Sequence, residues 1–241
     1  MIPKIIHYCW FGRGDKPKIL KKCIDSWKKF CPDYEIKEWN EDNFDINISK
    51  YVKEAYEMKK WAFVSDYARF YVLNKYGGIY LDTDVEIVKD IDGLLDRNFA
   101  GFESNTAVAT GLIMACDKDN GMCKAMIEEY DNDSFIKSDG TMNLRTVCHR
   151  VTDHLVSKGL ILNGKTQDVD GYRIYAVDYF NPIDMKNGKK VLTENTYTVH
   201  HYAGSWVKKS DKLRGKIYRT LNRIFGEKFA NKIRNVFGRK K

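Results

Sequence analysis

Two carboxylates separated by a single residue, Asp82 and Asp84, are the pair in this sequence best suited to chemistry. They follow a short apolar run in "YGGIYLDTDVEI", residues 76–87, that is typical of a buried strand. Side chains alternate along a strand, so both carboxylates share one face if the strand continues through them. Hard divalent cations prefer carboxylate oxygens and share their remaining positions with phosphate oxygens. The pair therefore predicts a metal–diphosphate site at the C-terminal edge of a sheet, although solvated loop acids or helix caps also fit a D-x-D pair taken alone.

A second charged pair, Asp66 and Arg69, lies sixteen and thirteen residues before Asp82. The two residues are spaced i, i+3 in an apolar helical pattern, which makes them neighbours on the helix surface. An ordinary surface ion pair of this kind contributes only about 0.2–0.5 kcal/mol. The alternative is that the helix folds back against the strand before Asp82, so that the pair and the carboxylates form one site.

The elements around these residues predict a mixed α/β domain. "KIIHYCWFG" and "YEIKEW" are typical of strands, and the helical spacing of apolar residues in "KPKILKKCIDSWKKF" lies between them. Such a β-α-β opening is typical of a parallel, nucleotide-binding sheet. Residues 51–78 are long enough for two helices or one bent helix, with Gly77 as the expected helix end. The strand "IYLD" follows Gly78, and further apolar runs continue to "YTVHHYAGSW".

Charge is divided unevenly along the 241 residues, whose net charge is +8. Residues 207–241 carry thirteen Lys and Arg against two acids, whereas residues 1–206 carry 28 against 31, a net charge of −3. Enzymes that act on nucleic acid concentrate positive charge around their cleft. The net negative charge of residues 1–206 therefore argues against nucleic acid as a partner. The 43% hydrophobic content argues against disorder, and no apolar run approaches the ~20 residues that span a bilayer.

The six cysteines form no C-x-x-C pair, so neither a zinc site nor a disulfide framework is indicated, and we expect buried or half-buried free thiols. They are Cys9, Cys23, Cys31, Cys116, Cys123 and Cys148. The N-terminal residues enter a strand pattern at once, without the basic leader or cleavage site typical of a signal peptide. We therefore expect a cytoplasmic protein.

The segment 207–241 predicts a basic amphipathic helical tail, distinct from a catalytic domain that spans 1–206. Apolar residues at helical spacing form two stripes separated by Gly226, and Lys and Arg fill most remaining positions. The stripes are Leu213, Ile217, Leu221, Ile224 and Phe225, followed by Phe229, Ile233, Val236 and Phe237. Such a helix can lie in the interface of an anionic membrane, so we expect peripheral contact with the inner face of the cell membrane. Packing of the stripe on the protein body is the alternative.

Three motifs together resemble the glycosyltransferases of family 32. They are "IPKIIHYCWFG", "SDYARFYVLNKYGGIYLDTD" and "HHYAGSW", and they bracket residues 2–206. The central motif is the most specific, because it combines S-D-x-x-R, G-G-x-Y and D-x-D at fixed offsets. The family includes bacterial capsular and lipopolysaccharide sugar transferases and yeast-type initiating mannosyltransferases, with the clostridial glucosylating toxins as distant relatives. The resemblance implies a GT-A-type nucleotide-binding mixed sheet flanked by helices.

The resemblance assigns roles to the central motif. It implies that Asp82 and Asp84 bind Mn²⁺ or Mg²⁺ together with a nucleotide sugar, Asp84 as the direct ligand and Asp82 as a contact to ribose, sugar or a metal-bound water. Asp66 would hold the donor sugar through its hydroxyls, and Arg69 would lie near the sugar and the diphosphate. The implied catalytic residues are therefore Asp66, Arg69 and Asp82. Ser65, which opens the motif, is grouped with the donor-binding residues.

The resemblance also extends the predicted donor site to the first strand. Tyr80 would line the donor pocket, Trp10 would stack on the base, and His7 lies beside it. Core packing is the alternative for Trp10 and Tyr80. Glu103 and Asp139 stay open as contacts to the acceptor.

The motif "HHYAGSW" matches a loop that closes on the metal and the phosphate. Its matching residues are His200 or His201, followed by Ser205 and Trp206. Adjacent residues on a strand point to opposite faces, so one histidine is expected to face the site, and the sequence does not say which. Trp206 also fits an anchor for the start of the tail.

The implied reaction is retaining transfer of a hexose from a nucleotide sugar to a saccharide or lipid-linked saccharide, in synthesis of a bacterial capsule, exopolysaccharide or lipopolysaccharide. Judged by the breadth of the family, a UDP-hexose is the donor expected first, and GDP-mannose is the second. A haloacid-dehalogenase-like phosphatase also ends an apolar strand in D-x-D, but it usually opens its domain with that strand and follows it with Thr or Ser, where Val85 stands here. A non-catalytic membrane adaptor, with the tail as its function, is the other alternative.

Overall fold

The structure, a computed structural model, describes residues 1–184, 187–204, 209–226 and 231–232. Ser205 and Trp206, two residues expected at the donor site, lie outside the described residues, as does the second apolar stripe expected in the tail. The described strands are β1 (Ile5–Cys9), β2 (Glu35–Trp39), β3 (Gly78–Tyr80), β4 (Val85–Ile87), β5 (Asn98–Ser104), β6 (Ala107–Val108), β7 (Met114–Cys116), β8 (Gln167–Val169), β9 (Tyr172–Tyr175) and β10 (Thr198–His200). The described helices are α1 (Lys18–Phe30), α2 (Lys50–Glu57), α3 (Trp61–Tyr76), α4 (Gly121–Asp131), α5 (Val147–Ser157), α6 (Val177–Phe180) and α7 (Lys209–Phe225), and a 3₁₀ turn spans Asp92–Leu94.

Eight of the described strands form one mixed sheet in the order β2-β1-β3-β7-β5-β9-β8, with β6 paired to β5. β1 runs parallel to β2 and β3, whereas β7 is antiparallel to both β3 and β5. β4 and β10 pair separately as a two-stranded antiparallel sheet. The predicted mixed α/β class and its β-α-β opening, β1-α1-β2, are confirmed.

Helices cover both faces of the large sheet, because its central strands bury apolar side chains on both sides. Ile6, Ile79 and Ala115 belong to the core on the α1 side. Tyr80 and Met114, the next residues along on β3 and β7, belong to the core beneath α2, α3, α4 and α5. Side chains that alternate along the strands therefore belong to two separate cores, one on each face of the sheet. The residues after β3 lie between these cores.

The apolar region before β3 forms two helices, and the second one folds back toward the strand. Ser49 is the N-cap of α2, and its hydroxyl accepts a hydrogen bond from the Val52 backbone N–H. α3 ends where Gly77 adopts a φ of 65° and Gly78 a φ of 100°. Glycine reaches this region without the steric penalty of a Cβ atom. The predicted helix end at Gly77 is confirmed, and the two glycines return the chain into β3 at once.

β3 is shorter than the strand expected from "IYLD". It ends at Tyr80, and the chain turns at Asp82, whose carbonyl accepts a hydrogen bond from the Val85 backbone N–H at 3.1 Å. The strand does not continue through Asp82 and Asp84, so strand alternation does not place the two carboxylates on one face. A turn separates the two carboxylates, and each meets different partners.

All six cysteines are free thiols, as predicted, with five buried and Cys148 half-buried. The sulfurs of Cys116 and Cys123 approach to 3.8 Å without a disulfide. In the tail, α7 confirms a helix over the first apolar stripe. Within the described ranges, no helix is long and apolar enough to cross a bilayer.

Candidate active site

The guanidinium of Arg69 is the centre of the first half of the site, which we call the arginine cluster: Asp66, Arg69, Asp82 and Thr110. Arg69 Nη2 donates to Asp66 Oδ1 at 2.8 Å and to Asp82 Oδ1 at 3.3 Å, and Nη1 donates to the Thr110 hydroxyl at 3.2 Å. The Arg69 side chain is 4% exposed, so the pair on α3 is not an ordinary surface ion pair. Helix α3 and the turn after β3 bring together the three residues implied as catalytic.

Burial and charge together set the protonation of the arginine cluster. Burial raises the pKa of Asp66 to about 6, since it outweighs the opposing charge of Arg69, and the nearby Asp82 carboxylate adds to the rise. Burial alone would lower the pKa of Arg69, but the two carboxylates outweigh it and raise that pKa above its ordinary value. Arg69 is therefore a fixed cation, and Asp66 is a carboxyl whose charge changes not far below neutral pH.

The second half of the site holds Asp84, and its partners come from the end of β10 and the residues after it. We call it the Asp84 clasp: Asp84, His200, His201 and Ala203. His200 Nε2 donates to Asp84 Oδ1 at 3.0 Å, and the Ala203 backbone N–H donates to Oδ2 at 2.6 Å. The His201 backbone N–H donates to the Asp84 carbonyl at 2.9 Å. Both carboxylate oxygens of Asp84 are therefore bonded within the protein.

The two adjacent histidines face different acids. The His201 ring nitrogen Nε2 lies 2.8 Å from Glu86 Oε2, away from Asp84. Burial would lower the pKa of His200, but the hydrogen bond to Asp84 and its charge outweigh burial and raise it. Burial would likewise raise the pKa of Asp84, but hydrogen bonds from His200 and Ala203 outweigh it and lower that pKa. The structure thus places the ring of His200, and not that of His201, beside the D-x-D motif.

Tyr202 joins the clasp to one of the two acceptor candidates. Its ring centre lies 4.1 Å from that of His200, and its hydroxyl donates to Glu103 Oε1 at 3.2 Å. Glu103 therefore borders the site. Asp139 lies on a separate loop, where it accepts hydrogen bonds from the backbone N–H and the hydroxyl of Thr141.

Two residues expected to contact the donor lie in the core instead. His7 is fully buried; Trp39 Nε1 donates to its Nδ1 at 3.1 Å, so its Nε2 donates to the Gly77 carbonyl at 2.9 Å. Both ring nitrogens are used, and burial lowers the pKa of His7 to about 4. Tyr80 is 1% exposed, and its ring centre lies 4.7 Å from the Arg69 guanidinium carbon. Tyr80 therefore packs against Arg69 from within the core, and His7 joins Trp39 to the turn at Gly77; a donor contact by either residue stays a prediction.

The other two expected donor contacts are half-buried. Trp10 Nε1 donates to the Gly14 carbonyl at 2.9 Å, which holds the indole beside the loop after β1. The Ser65 hydroxyl donates to the Trp61 carbonyl one turn earlier in α3, at 3.0 Å. Stacking of Trp10 on a base stays a prediction, whereas the Ser65 hydroxyl is already engaged within its own helix.

The carboxylates of the D-x-D motif suit a hard dication such as Mn²⁺ or Mg²⁺ in their chemistry. The Asp82 side chain is 31% exposed, whereas Asp84 is bonded within the clasp. Across the described part of the chain, no group of three or more His, Cys, Asp and Glu side chains is arranged to hold a metal ion. The two carboxylates therefore fit a cation of this kind by their chemistry.

Sequence reasoning missed the chain segment before β7 that positions Asp82. Thr110 is fully buried and accepts from Arg69, and the Gly111 carbonyl accepts from the Asp82 backbone N–H at 3.0 Å. A Cβ atom at Gly111 would lie 2.1 Å from Asp82 Oδ2, so any side chain there would displace the carboxylate. The one sequence signal for this contact was a glycine beside a strand, which indicates a close backbone approach.

A sequence model of the family described as "Glycosyltransferase sugar-binding region containing DXD motif" matches residues 17–100. The match includes Asp66, Arg69, Asp82 and Asp84. It ends before Thr110 and before the β10 residues of the clasp. The family match therefore includes the charged residues on α3 and in the turn after β3. The contacts from Thr110 and from β10 are known from the structure alone.

Two curated relatives are each 33% identical to this chain over 105 residues. One is inositol phosphoceramide mannosyltransferase 3 of Schizosaccharomyces pombe, where the match covers 39% of this chain and 27% of the relative. The other is an uncharacterized glycosyltransferase of Acanthamoeba polyphaga mimivirus, with 41% and 42% covered. The match thus spans less than half the length of either relative.

The fold is similar to the crystal structure of a glycosyltransferase involved in the glycosylation of the major capsid of PBCV-1. The TM-score is 0.51 with 11% identity, over 89% of this chain and 100% of that chain. An identity this low shows a shared fold alone. It confirms the fold class that the sequence predicts.

Proposed function

We propose that this chain is a retaining hexosyltransferase, because residues 17–100 match the sequence model of the glycosyltransferase sugar-binding region that contains the DXD motif. Its donor is a nucleotide sugar, with a UDP-hexose as first choice and GDP-mannose as second. Its acceptor is a saccharide or a lipid-linked saccharide. We place its reaction in the synthesis of a bacterial capsule, exopolysaccharide or lipopolysaccharide.

The observation that carries this proposal is the arginine cluster. Stability alone does not explain a buried Arg between two carboxylates, because apolar residues of similar volume often stabilise a fold as well or better. The cluster lies just after β3, at the sheet edge where α/β proteins bind their nucleotide ligands. Buried charged residues at this edge of the sheet favour a role for the arginine cluster in holding a polar ligand.

Arg69 and Asp66 have different roles toward the donor in the proposed reaction. Arg69 orients the donor beside its diphosphate, where a charge-assisted hydrogen bond is strongest. Asp66 accepts hydrogen bonds from sugar hydroxyls and stabilises positive charge on the ring. The bond from the anomeric carbon to the diphosphate oxygen breaks, and the bond to the acceptor oxygen forms on the same face. The departing diphosphate takes the acceptor proton, so no residue of the chain has to act as a base.

Asp82 and Asp84 are the residues that would hold Mn²⁺ or Mg²⁺. A dication bound there would neutralise the negative charge that develops on the departing diphosphate. His200 and the Ala203 amide orient the Asp84 carboxylate and keep it ionised.

The name of one relative supports a lipid-linked acceptor. The Schizosaccharomyces pombe protein is named for mannosyl transfer to inositol phosphoceramide, which is a lipid. That name also favours mannose as the second sugar to test. The name of a relative does not by itself assign the acceptor of this chain. We propose a lipid-linked acceptor from that name together with the basic tail.

Hydrolysis of nucleotide sugars in the absence of acceptor tests the proposed function. We expect one donor from a set of UDP-hexoses and GDP-mannose to release its nucleoside diphosphate only when Mn²⁺ or Mg²⁺ is added. The freed sugar should keep its anomeric configuration when followed by NMR from the first seconds. Asp82→Asn and Asp84→Asn should lower the rate at least about 100-fold, in line with loss of charge stabilisation at the reacting group.

Asp168→Asn is the matched control, because Asp168 is an exposed acid on the edge strand β8, paired with Arg173 of β9 at 2.8 Å. It should keep the wild-type rate. Release of inorganic phosphate from phosphomonoesters instead of a nucleoside diphosphate from sugar donors would identify a phosphatase. Failure of every donor to bind or turn over would contradict the proposal.

A further inference from the structure

Helix α7 presents its apolar side chains to solvent. Leu213, Ile217 and Ile224 are 60%, 49% and 60% exposed. Their i, i+4 and i+11 spacing places them on one side of the helix, along about 17 Å of its length at 1.5 Å per residue. We call these three residues the apolar stripe of α7. Scattered exposed apolar residues are common on soluble proteins, whereas a continuous stripe marks an interaction surface.

The opposite side of α7 faces the rest of the protein, and it is mostly polar. The half-buried residues of the helix are Gly215, Tyr218, Arg219, Leu221 and Asn222. The Arg219 side chain lies against Gly188, whose added Cβ atom would be 3.4 Å from Arg219 Cδ. The Tyr218 hydroxyl donates to Asn231 Oδ1 at 2.9 Å. Of the five residues of the predicted first stripe, Leu213, Ile217, Ile224 and Phe225 are therefore exposed and Leu221 is half-buried, so most of the stripe is not packed on the protein body.

Basic side chains flank the stripe on the exposed surface. Lys216 and Arg223 are exposed and lie on the adjoining side of the helix. Residues 213–226 contain no Asp or Glu, and residues 207–241 carry a net charge of +11 in sequence. An apolar stripe bordered by Lys and Arg is the pattern of helices that lie in the plane of a membrane interface.

We propose that α7 docks on an anionic lipid bilayer, with its apolar stripe at the boundary of headgroups and acyl chains and its basic residues on lipid phosphates. The six Lys and Arg residues of α7 exclude a helix that spans the bilayer. The proposal extends the proposed function by locating the enzyme beside a lipid-linked acceptor. Its test measures vesicle binding, which does not depend on sugar transfer.

Charge decides between a bilayer and a second copy of the chain as the occupant of the stripe. Two copies that meet through α7 would bring two strongly positive helices together, and such repulsion disfavours the pair. An anionic bilayer supplies the missing negative charge and an apolar layer at the same time. Each basic residue near such a surface contributes about 1 kcal/mol of attraction, so several of them act together with the stripe.

Co-sedimentation of the full chain with vesicles tests the proposal. We expect binding to vesicles of phosphatidylcholine with one quarter phosphatidylglycerol, weak binding to phosphatidylcholine alone, and loss of binding in 0.5 M salt because charge is screened. The triple variant Leu213→Ser, Ile217→Ser, Ile224→Ser should lower the partition coefficient at least about tenfold. The double variant Lys216→Gln, Arg223→Gln should lower it about tenfold or more.

The matched control replaces three exposed apolar residues outside α7, Leu144, Ile161 and Leu162, with Ser. It should bind vesicles as the wild type does. Donor hydrolysis by the α7 variants should equal that of the wild type, which shows that they fold. Unchanged vesicle binding by the apolar triple variant, or no binding by the wild type, would overturn the proposal. A concentration-dependent dimer that the triple variant abolishes, with vesicle binding unaffected, would assign the stripe to a second copy instead.

Discussion

The two halves of the candidate site are built in different ways. The arginine cluster is assembled by α3, the turn after β3 and the segment before β7, and its central side chain is 4% exposed. The Asp84 clasp depends on β10, a three-residue strand in a small separate sheet, and on the backbone of residues 201–203. One half is set in the core of the large sheet, whereas the other is closed by a late segment of the chain.

This difference separates a rigid half, the arginine cluster, from a closing half, the Asp84 clasp, in which a late segment of the chain meets Asp84. The cluster has its geometry before any ligand arrives, because buried partners fix Arg69 on several sides. The clasp holds Asp84 with one histidine ring and two backbone N–H groups. The strand after Asp84 is anchored in the core, where Val85 and Ile87 are fully buried.

Arg69→Ala is the change with the largest expected effect, and it acts on the rigid half. Removing one partner from a buried charge cluster leaves the other charges uncompensated and costs about 3–5 kcal/mol. The free energy of unfolding in urea should fall by that amount, and donor hydrolysis should be lost. Arg173→Ala breaks an exposed pair with Asp168 and should cost no more than about 1 kcal/mol. Equal losses in the two variants would contradict the description of Arg69 as a buried centre.

Gly111→Ala should separate activity from stability in the same half. The added Cβ atom would displace the Asp82 carboxylate from 2.1 Å away, and a misplacement of about 1 Å can lower a rate about 100-fold. We expect donor hydrolysis to fall by that factor while the free energy of unfolding changes by less than about 1 kcal/mol. Gly93→Ala is the control, because its Cβ atom would meet no atom within 4 Å. Full activity in Gly111→Ala would show that Asp82 does not need its observed position.

The clasp is tested by comparing the two histidines. His200→Ala removes a donor from the Asp84 carboxylate, and loss of such an orienting group typically lowers metal affinity about 10- to 100-fold. We expect the affinity for Mn²⁺ in the presence of UDP to fall about tenfold, measured by calorimetry. His201→Ala removes a partner of Glu86 and should change that affinity less than about threefold. A larger effect from His201→Ala would reverse the assignment.

The smallest predicted effect is a pH dependence that belongs to the rigid half alone. Burial raises the pKa of Asp66 from its ordinary 3.8 to about 6, so the folded chain binds this proton more tightly than the unfolded chain. The stabilisation is fully present below about pH 4 and is lost as the pH rises through about 6. The difference in unfolding free energy, wild type minus Asp66→Asn, should therefore fall by about 1 kcal/mol between pH 5 and pH 7. A difference that rises over this range would show that Asp66 is held as a carboxylate.

The sequence predicted the rigid half better than the closing half, for physical reasons. The spacing of Asp66, Arg69 and Asp82 is set by one helix, two glycines and one strand, which are local structures with local signals. The choice between His200 and His201 depends on the register that pairs His200 with Val85 across β10 and β4. A one-residue slip in register exchanges the two faces of a strand, and nothing local fixes that register.

The burial of His7, an expected donor contact, has another cause. His7 was expected near the donor because it stands beside Trp10, but its ring is satisfied by Trp39 from β2 and by the Gly77 carbonyl. Those partners come from distant parts of the sequence and appear only when the sheet is assembled. Gly111 was missed for the same reason, because its close approach to Asp82 is a tertiary contact.

Calorimetry of UDP and Mn²⁺ binding tests whether the cluster and the clasp together form one donor site completed by substrate. We expect Mn²⁺ to bind weakly by itself and UDP and Mn²⁺ to strengthen each other's binding. Asp84→Asn should abolish this coupling, while Asp168→Asn should keep it. Tight Mn²⁺ binding without nucleotide, or coupling that survives Asp84→Asn, would show that the two halves do not form such a site.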